Sequence, residues 1–283
     1  MKRTLNILLG SGIFSLFLCI TALTRYTPRV VFCDVGQGDA VYFRMPNGSD
    51  VLVDTGKGSK IVGCLNRHMP LFDRTIEAVF ITHAQSDHAS GLLNLIDSYT
   101  IKSVYTSSAG LLPTSRATYP QFWLAIRSSL QKKHIQIQPL FRGNRILCGS
   151  SSFTIVWPNN YIHTYANVDL SDPNNTALGM YATLHGVHSI QTILLLSDMD
   201  SAVAEIALQG RVFDSTIWKV NHHGSRYGIS KKLIRMSKPS IAVISSGKGN
   251  IYGHPHKETI DLLKALHIPI RRTYMEGDVV FPL

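Results

Sequence analysis

The run Thr82-His83-Ala84-Gln85-Ser86-Asp87-His88 gathers two imidazoles, a carboxylate and an amide directly after the apolar stretch that ends at Ile81. Neutral imidazole and carboxylate are the side chains that zinc and manganese accept as ligands. Capping of a helix start would account for Asp87 alone and would leave both histidines unexplained. Three further pieces share this design. Leu194 to Ser197 is a hydrophobic run ending at Asp198, a natural bridging carboxylate. Thr216 to Val220 ends in Asn221-His222-His223-Gly224-Ser225, and Asn250-Ile251-Tyr252-Gly253-His254-Pro255 follows the run Ile241 to Ser245. A divalent ion held by such groups lowers the pKa of a bound water and neutralises a phosphate oxygen, which is the chemistry of metal-assisted hydrolysis.

Every cluster sits at the end of an expected strand, so one edge of a sheet structure can collect them all. Val30 to Asp34, Ala40 to Met45 and Val51 to Val53 read as short strands. They are separated by the turn Gly36-Gln37-Gly38 and the hairpin signal Pro46-Asn47-Gly48, giving an antiparallel start. The Gly36-to-Asp39 turn reads equally as a tight turn with a solvated Asp39 or as a loop that brings Asp39 to the site. Glu77–Ile81, Phe153–Trp157, Ala177–Leu184, Ile190–Leu196, Thr216–Val220, Ile241–Ser245 and Pro269–Tyr274 are further expected strands. Helices are expected at Leu92–Ile96, Tyr119–Lys133 (with Phe122, Ile126 and Leu130 on one face), Ser201–Leu208, Lys231–Met236 and Thr259–Leu266. Strand pairs followed by helix-flanked strands, in two halves, predict a layered α/β sandwich. The longest irregular piece is Asn159 to Asn175, and long loops tend to be functional. The scattered His68, His134, His163, His185, His188 and His267 read as surface or loop residues without a role.

Of the 283 residues, 45% are hydrophobic and 16% charged, which supports a sizeable core and excludes a disordered chain. The net charge of +10 favours anionic partners, nucleic acid or acidic lipid headgroups, although no block of five like charges concentrates it. Four cysteines without a paired motif exclude a dense disulfide framework. Cys19 falls in the apolar N-terminus, and Cys33, Cys64 and Cys148 read as buried thiols, with one bridge open to them in an oxidising compartment. Lys2 and Arg3 precede the uncharged run Leu5 to Leu23. As a helix this run rises about 28 Å, the thickness of a bilayer core. Its length and the lack of an A-x-A site favour an uncleaved anchor over a signal peptide. Residues 1–25 are thus expected to form a transmembrane helix and residues 26–283 one domain facing away from the cytoplasm.

The ordered motifs Asp34-Val35-Gly36-Gln37-Gly38-Asp39, Val53-Asp54-Thr55-Gly56, His83 through His88, Ser197-Asp198, His222-His223-Gly224-Ser225 and Tyr252-Gly253-His254-Pro255 resemble those of metallo-β-lactamase-fold hydrolases. They are most similar to the branch formed by the C-terminal domain of the ComEC family of DNA-uptake proteins. The resemblance runs from about Val30 to Val280. It implies an αββα sandwich, one or two divalent ions (Zn or Mn), and a phosphodiesterase or nuclease acting on DNA beside an uptake channel. It implies that Asp87, His88 and Asp198 hold one ion, with Asp87 and Asp198 central to catalysis. His83 helps hold another ion, together with Gln85, which offers only a neutral carbonyl oxygen. The distal ligand stays open among His222, His223 and His254. Asp54 is expected to orient the first loop, and Asp34, Gln37, Asp39, Asn175 and Ser225 to support the site or the substrate. Because a fold does not fix its chemistry, a hydrolase of a thioester, lactam or cyclic nucleotide is the alternative, as is a tethered DNA-binding domain without catalysis. Oligomeric state is not encoded in these motifs.

Overall fold

The computed structural model describes residues 26–108, 120–160, 168–169, 171–186 and 189–283. Its strands, among the described residues, are β1 (Arg29–Phe32), β2 (Val41–Arg44), β3 (Asp50–Val53), β4 (Thr75–Ile76), β5 (Ala78–Ile81), β6 (Thr100–Ile101), β7 (Val104–Ser107), β8 (Ile137–Leu140), β9 (Arg145–Cys148), β10 (Ser151–Trp157), β11 (Gly179–His185), β12 (Ile190–Leu195), β13 (Ile217–Lys219), β14 (Ile241–Ile244), β15 (Ile270–Arg272) and β16 (Val279–Pro282). The helices are α1 (Lys60–His68), α2 (Ser86–Ala89), α3 (Leu93–Ile96), α4 (Gln121–Lys132), α5 (Ser201–Leu208), α6 (Lys231–Ser237), α7 (Lys257–Ala265) and α8 (Thr273–Glu276).

Alternation along the strands sorts the apolar side chains into layers. Val30, Phe32, Val41, Phe43, Val51 and Val53 face a central core shared with Phe153, Met180, Ile193 and Val243. Their neighbours Val31, Tyr42, Leu52 and Val79 face outward onto α1 and α4. On the other side Leu194, Trp218, Ala242 and Ile244 meet α5, α6 and α7. The result is helix, sheet, sheet, helix. Phe153 ties the two sheets together, with its ring centroid 5.2 Å from Phe43 and 5.1 Å from Phe80. The contact with Phe43 is edge-to-face, a geometry that adds about 0.5–1.5 kcal/mol beyond burial.

Each sheet has seven strands, in the orders β16-β1-β2-β3-β5-β7-β8 and β15-β14-β13-β12-β11-β10-β9. Each begins as an antiparallel meander and continues as parallel strands, β3 onward in the first and β12 onward in the second. Parallel neighbours end on the same edge. That topology brings the ends of β3, β5, β12, β13 and β14 together, as the sequence pattern requires.

Several expectations are corrected. The α4 face is Trp123, Ile126 and Leu130, with Phe122 only partly buried, because Trp123 completes the i, i+3, i+7 stripe. The stretch Pro269–Tyr274 is a strand only through Arg272, after which Thr273–Glu276 turns into a helix. Cys33 and Cys64 are not free thiols. They form a disulfide with Cα atoms 5.9 Å apart, because α1 packs its buried face over the end of β1. Cys148 is a buried thiol. His68 is partly buried and meets Asp278 at 2.9 Å. The run Leu5–Leu23, Tyr119, His163, His188 and half of the loop after Asn159 lie outside the described residues. Among the described residues no helix is long and apolar enough to cross a membrane.

Candidate metal centre

Asp54 follows β3 with φ 59°, and Ser197, His222 and His223 also adopt left-handed backbone, with φ of 52°, 49° and 54°. Positive φ outside glycine costs energy and persists where surrounding structure enforces it, commonly at functional sites. Here the chain reverses sharply as it leaves β3, β12 and β13, so side chains of consecutive residues aim into the same space. Gly38, with φ 135°, lets the first loop touch the His83–His88 motif. A Cβ there would lie 2.2 Å from Asp87 O, and the neighbouring Asp39 N donates to that carbonyl at 3.1 Å.

Three buried imidazoles are oriented by their Nδ1 atoms. His88 Nδ1 lies 2.8 Å from Asp54 Oδ2. A carboxylate only accepts, so Nδ1 carries the proton. His223 Nδ1 lies 3.0 Å from Ser245 O, which also only accepts. His83 Nδ1 lies 3.0 Å from Thr82 Oγ1, whose one proton is already given to Asp54 Oδ2 at 2.8 Å. His83 Nδ1 is therefore the donor. In the neutral ring each Nε2 then presents a bare lone pair, the arrangement that supporting carboxylates and carbonyls impose on metal-binding histidines.

Those Nε2 atoms converge. Asp198 Oδ2 lies 3.2 Å from His88 Nε2 and 3.1 Å from His223 Nε2, and Asp87 Oδ2 lies 3.4 Å from His223 Nε2. Asp87, His88 and His223 thus form one cluster of potential ligands, and His83, His88 and Asp198 form a second. His83 Nε2 and His223 Nε2 are buried without a hydrogen-bond partner. Orphaned lone pairs of this kind are rare in folded proteins and suit a divalent ion.

The electrostatics agree. Burial disfavours charge on His88 and His223, yet Asp198, with Asp54 beside one ring and Asp39 beside the other, holds both well above the ordinary imidazole range. Burial also opposes charge on Asp198, but His223, His88 and Lys219 keep its carboxyl well below the usual range. At His83, burial and the repulsion of His88 outweigh the attraction of Asp198 and Asp87 and push it down to about 3. The protons on His88 and His223 stand where an ion would displace them.

A cavity of 410 Å³ opens over the cluster, lined by Gln37, Gln85, Asp87, His222, Tyr252 and His254 among others. His222 Nε2 is 4.0 Å from Asp198 Oδ2 and the His254 ring is 5.5 Å from that of His222, so both edge the cavity while His223 reaches its floor. Burial and the neighbouring His223 and His222 push His254 down to about 4. Gln85 precedes α2 in extended conformation and turns its side chain to the cavity. Gln37 accepts from Gly247 N at 3.1 Å, joining the first loop to the last. Asp39 is buried against His223 and Lys219, which excludes the solvated-turn reading.

Three residues take other positions. Asp34 lies by Lys60, Arg67 and Asp278, and its carboxylate accepts from Gly36 N at 3.1 Å, closing its own turn. Ser225 caps the short turn after the histidines by accepting from Tyr227 N. Asn174 lines the cavity, while Asn175 is buried with its amide donating to Asp169 O at 3.1 Å. The residue missed altogether is Lys219. It is fully buried on β13, in ion contact with Asp39 and 3.6 Å from Asp198 Oδ1. A cation inside the apolar run Ile217–Val220 was the available signal, since lysine is almost never fully buried unless paired.

Comparison with known proteins agrees with this geometry. The metallo-beta-lactamase superfamily model matches residues 33–140. ComE operon protein 3 of Bacillus subtilis (strain 168) is 23% identical over 311 residues, covering 99% of this chain and 37% of that protein. Recombination protein 2 of Haemophilus influenzae is 23% identical over 279 residues, covering 93% of this chain and 30% of its own. The chain therefore spans well under half the length of either relative. The solved structure of a metal-dependent hydrolase of the beta-lactamase superfamily aligns with a TM-score of 0.56 at 16% identity, over 90% of this chain and 99% of that one. The chain accordingly carries a metallo-beta-lactamase domain, and its curated homologues are the ComEC-type competence proteins.

Proposed function

We propose that this domain is a metal-dependent phosphodiesterase that cleaves DNA during uptake. The observation that carries the metal reading is the convergence of Asp87, His88, Asp198 and His223 with their imidazole lone pairs already aimed. A divalent ion bound there supplies an activated water and neutralises charge on a phosphate oxygen. The chain's own residues prepare the site for that chemistry. Asp54 and Ser245 O fix the rings of His88 and His223, so no reorientation is needed when substrate arrives. The rings of His222 and His254 line the cavity, so a phosphodiester entering it meets imidazole along that wall. Lys219 secures Asp39 and Asp198 from below. The choice of DNA rests on the similarity to competence proteins and on the net charge of +10.

The domain is proposed to lie outside the cytoplasm, tethered by Leu5–Leu23. The Cys33–Cys64 disulfide supports this placement, because such bonds persist in oxidising compartments. Purified protein loaded with Mn or Zn is expected to hydrolyse linear DNA and a bis-aryl phosphodiester, and to stop when chelator is added. Equal turnover of both in excess chelator overturns the metal-dependent reading. Turnover of the small ester alone removes DNA from it.

A further inference from the structure

The carboxylate of Asp198 faces two different surroundings. Its Oδ2 points to His88 Nε2 and His223 Nε2, at 3.2 and 3.1 Å. Its Oδ1 points to the ammonium of Lys219 at 3.6 Å. Lys219 has a side chain only 2% exposed and is anchored by Asp39, so it cannot swing out to water. Removing a charge from water costs several kcal/mol unless partners compensate, and here the partners are the carboxylates of the centre itself.

The two halves of the centre are unequal in charge. On one side Asp87 and Asp198 supply anionic oxygens beside His88 and His223. Apart from Asp198, the polar side chains that touch His83 are the Gln85 amide and the Thr82 and Ser197 hydroxyls, all neutral, and the charge of Asp87 acts on it more weakly than that of Asp198. A second dication there would depend chiefly on Asp198, an oxygen pair already shared between the other ion and Lys219. Neutral ligands without carboxylate hold hard divalent ions weakly.

We propose that Lys219 is a resident cation of the centre and that the centre holds one divalent ion, on Asp87, His88, Asp198 and His223, with the His83–Gln85 side open to substrate. This rests on the metal-centre reading and adds its stoichiometry and the role of Lys219 as a positioning residue. Lys219 fixes which oxygen Asp198 presents and moderates the negative charge beneath the ion.

The test is a calorimetric titration of the metal-free protein with Mn, paired with elemental analysis after dialysis, on the wild type, Lys219→Gln and Gln85→Asp. The wild type is expected to retain one ion per chain. Lys219→Gln, which removes a fixed positive charge beside the ion, is expected to bind it about tenfold more tightly or more. Gln85→Asp adds an anionic ligand at the cavity wall and is expected to take up a second ion. Two tightly held ions in the wild type overturn the proposal and leave the hydrolase reading intact. Failure of the wild type to bind Mn overturns both. Affinity unchanged in Lys219→Gln removes the role given to that residue. If Lys219→Gln does not fold, the wild-type count and the Gln85→Asp titration still decide the stoichiometry, because unchanged binding in Gln85→Asp contradicts the open half-site.

Discussion

The short strand β3 carries a buried aspartate at its start, Asp50, and another just past its end, Asp54, and the two have opposite fates. Asp50 is fully buried and its oxygens accept from Tyr42 Oη and Arg44 Nη1, each at 2.6 Å. Arg44 also reaches Asp73 at 3.0 Å, and Asp50 N donates to Glu77 at 2.8 Å. Both oxygens of the Asp50 carboxylate are met by donors there, and the backbone of Asp50 is ordinary strand. Asp54 accepts from Thr82 N, Thr82 Oγ1 and His88 Nδ1, each at 2.8 Å, but its network does not stop there. It passes through the imidazole to a nitrogen whose neighbours are carboxylates. The left-handed backbone occurs at Asp54 and not at Asp50. Burial of charge alone thus distinguishes nothing. A network closed on itself stabilises a fold, whereas one that ends where imidazoles and carboxylates converge on one point prepares for a ligand.

Substitutions at the two ends sharpen this contrast. The largest effect is expected from Asp198→Asn, which removes the charge on which the open network terminates. Turnover is expected to vanish while circular dichroism stays native, and near-normal turnover removes Asp198 from the ligand set. Next comes Arg44→Met at the closed end. It leaves Asp50 buried without its cation, a loss of about 3–5 kcal/mol of stability by denaturant melt. Metal affinity of the folded fraction is expected to be unchanged, and a parallel fall would show that the two ends are coupled through β3. The smallest effect is expected from Asp54→Asn. It keeps the shape but weakens the acceptor for His88 Nδ1, and about 10–100-fold of metal affinity is expected to go. An unaltered titration curve would break the distinction between the ends, because Asp54 would then be as purely structural as Asp50.

Much of this was readable from the residues, and the failures have physical causes. His83, Asp87, His88 and Asp198 stand directly after apolar runs, so strand ends and ligand types signal together. The two-sheet layering followed from strand pairs succeeded by helix-flanked strands, in two halves. The choice among His222, His223 and His254 was not readable, because it depends on the left-handed turn after β13 that sends His223 inward and leaves His222 at the rim. Strands β7, β8 and β9 carry no clear alternation of their own and are specified by their neighbours in the sheets. The Cys33–Cys64 pairing depends on how α1 docks, which spacing does not encode. Lys219 was hidden because its strand reads as core, and its partners come from Asp39 and Asp198, far away in sequence.

The pairing of β1 with β16 has a consequence for how the chain comes to exist. Arg29 lies opposite Pro282 and Phe32 opposite Val279, so the first and last of the described strands are neighbours. The first sheet therefore stays incomplete until both of these distant segments are available to pair. Closing so long a loop costs entropy that only the finished core offsets, and domains with such distant pairings fold slowly. In the meantime the free edge of β1 is open to association with other chains.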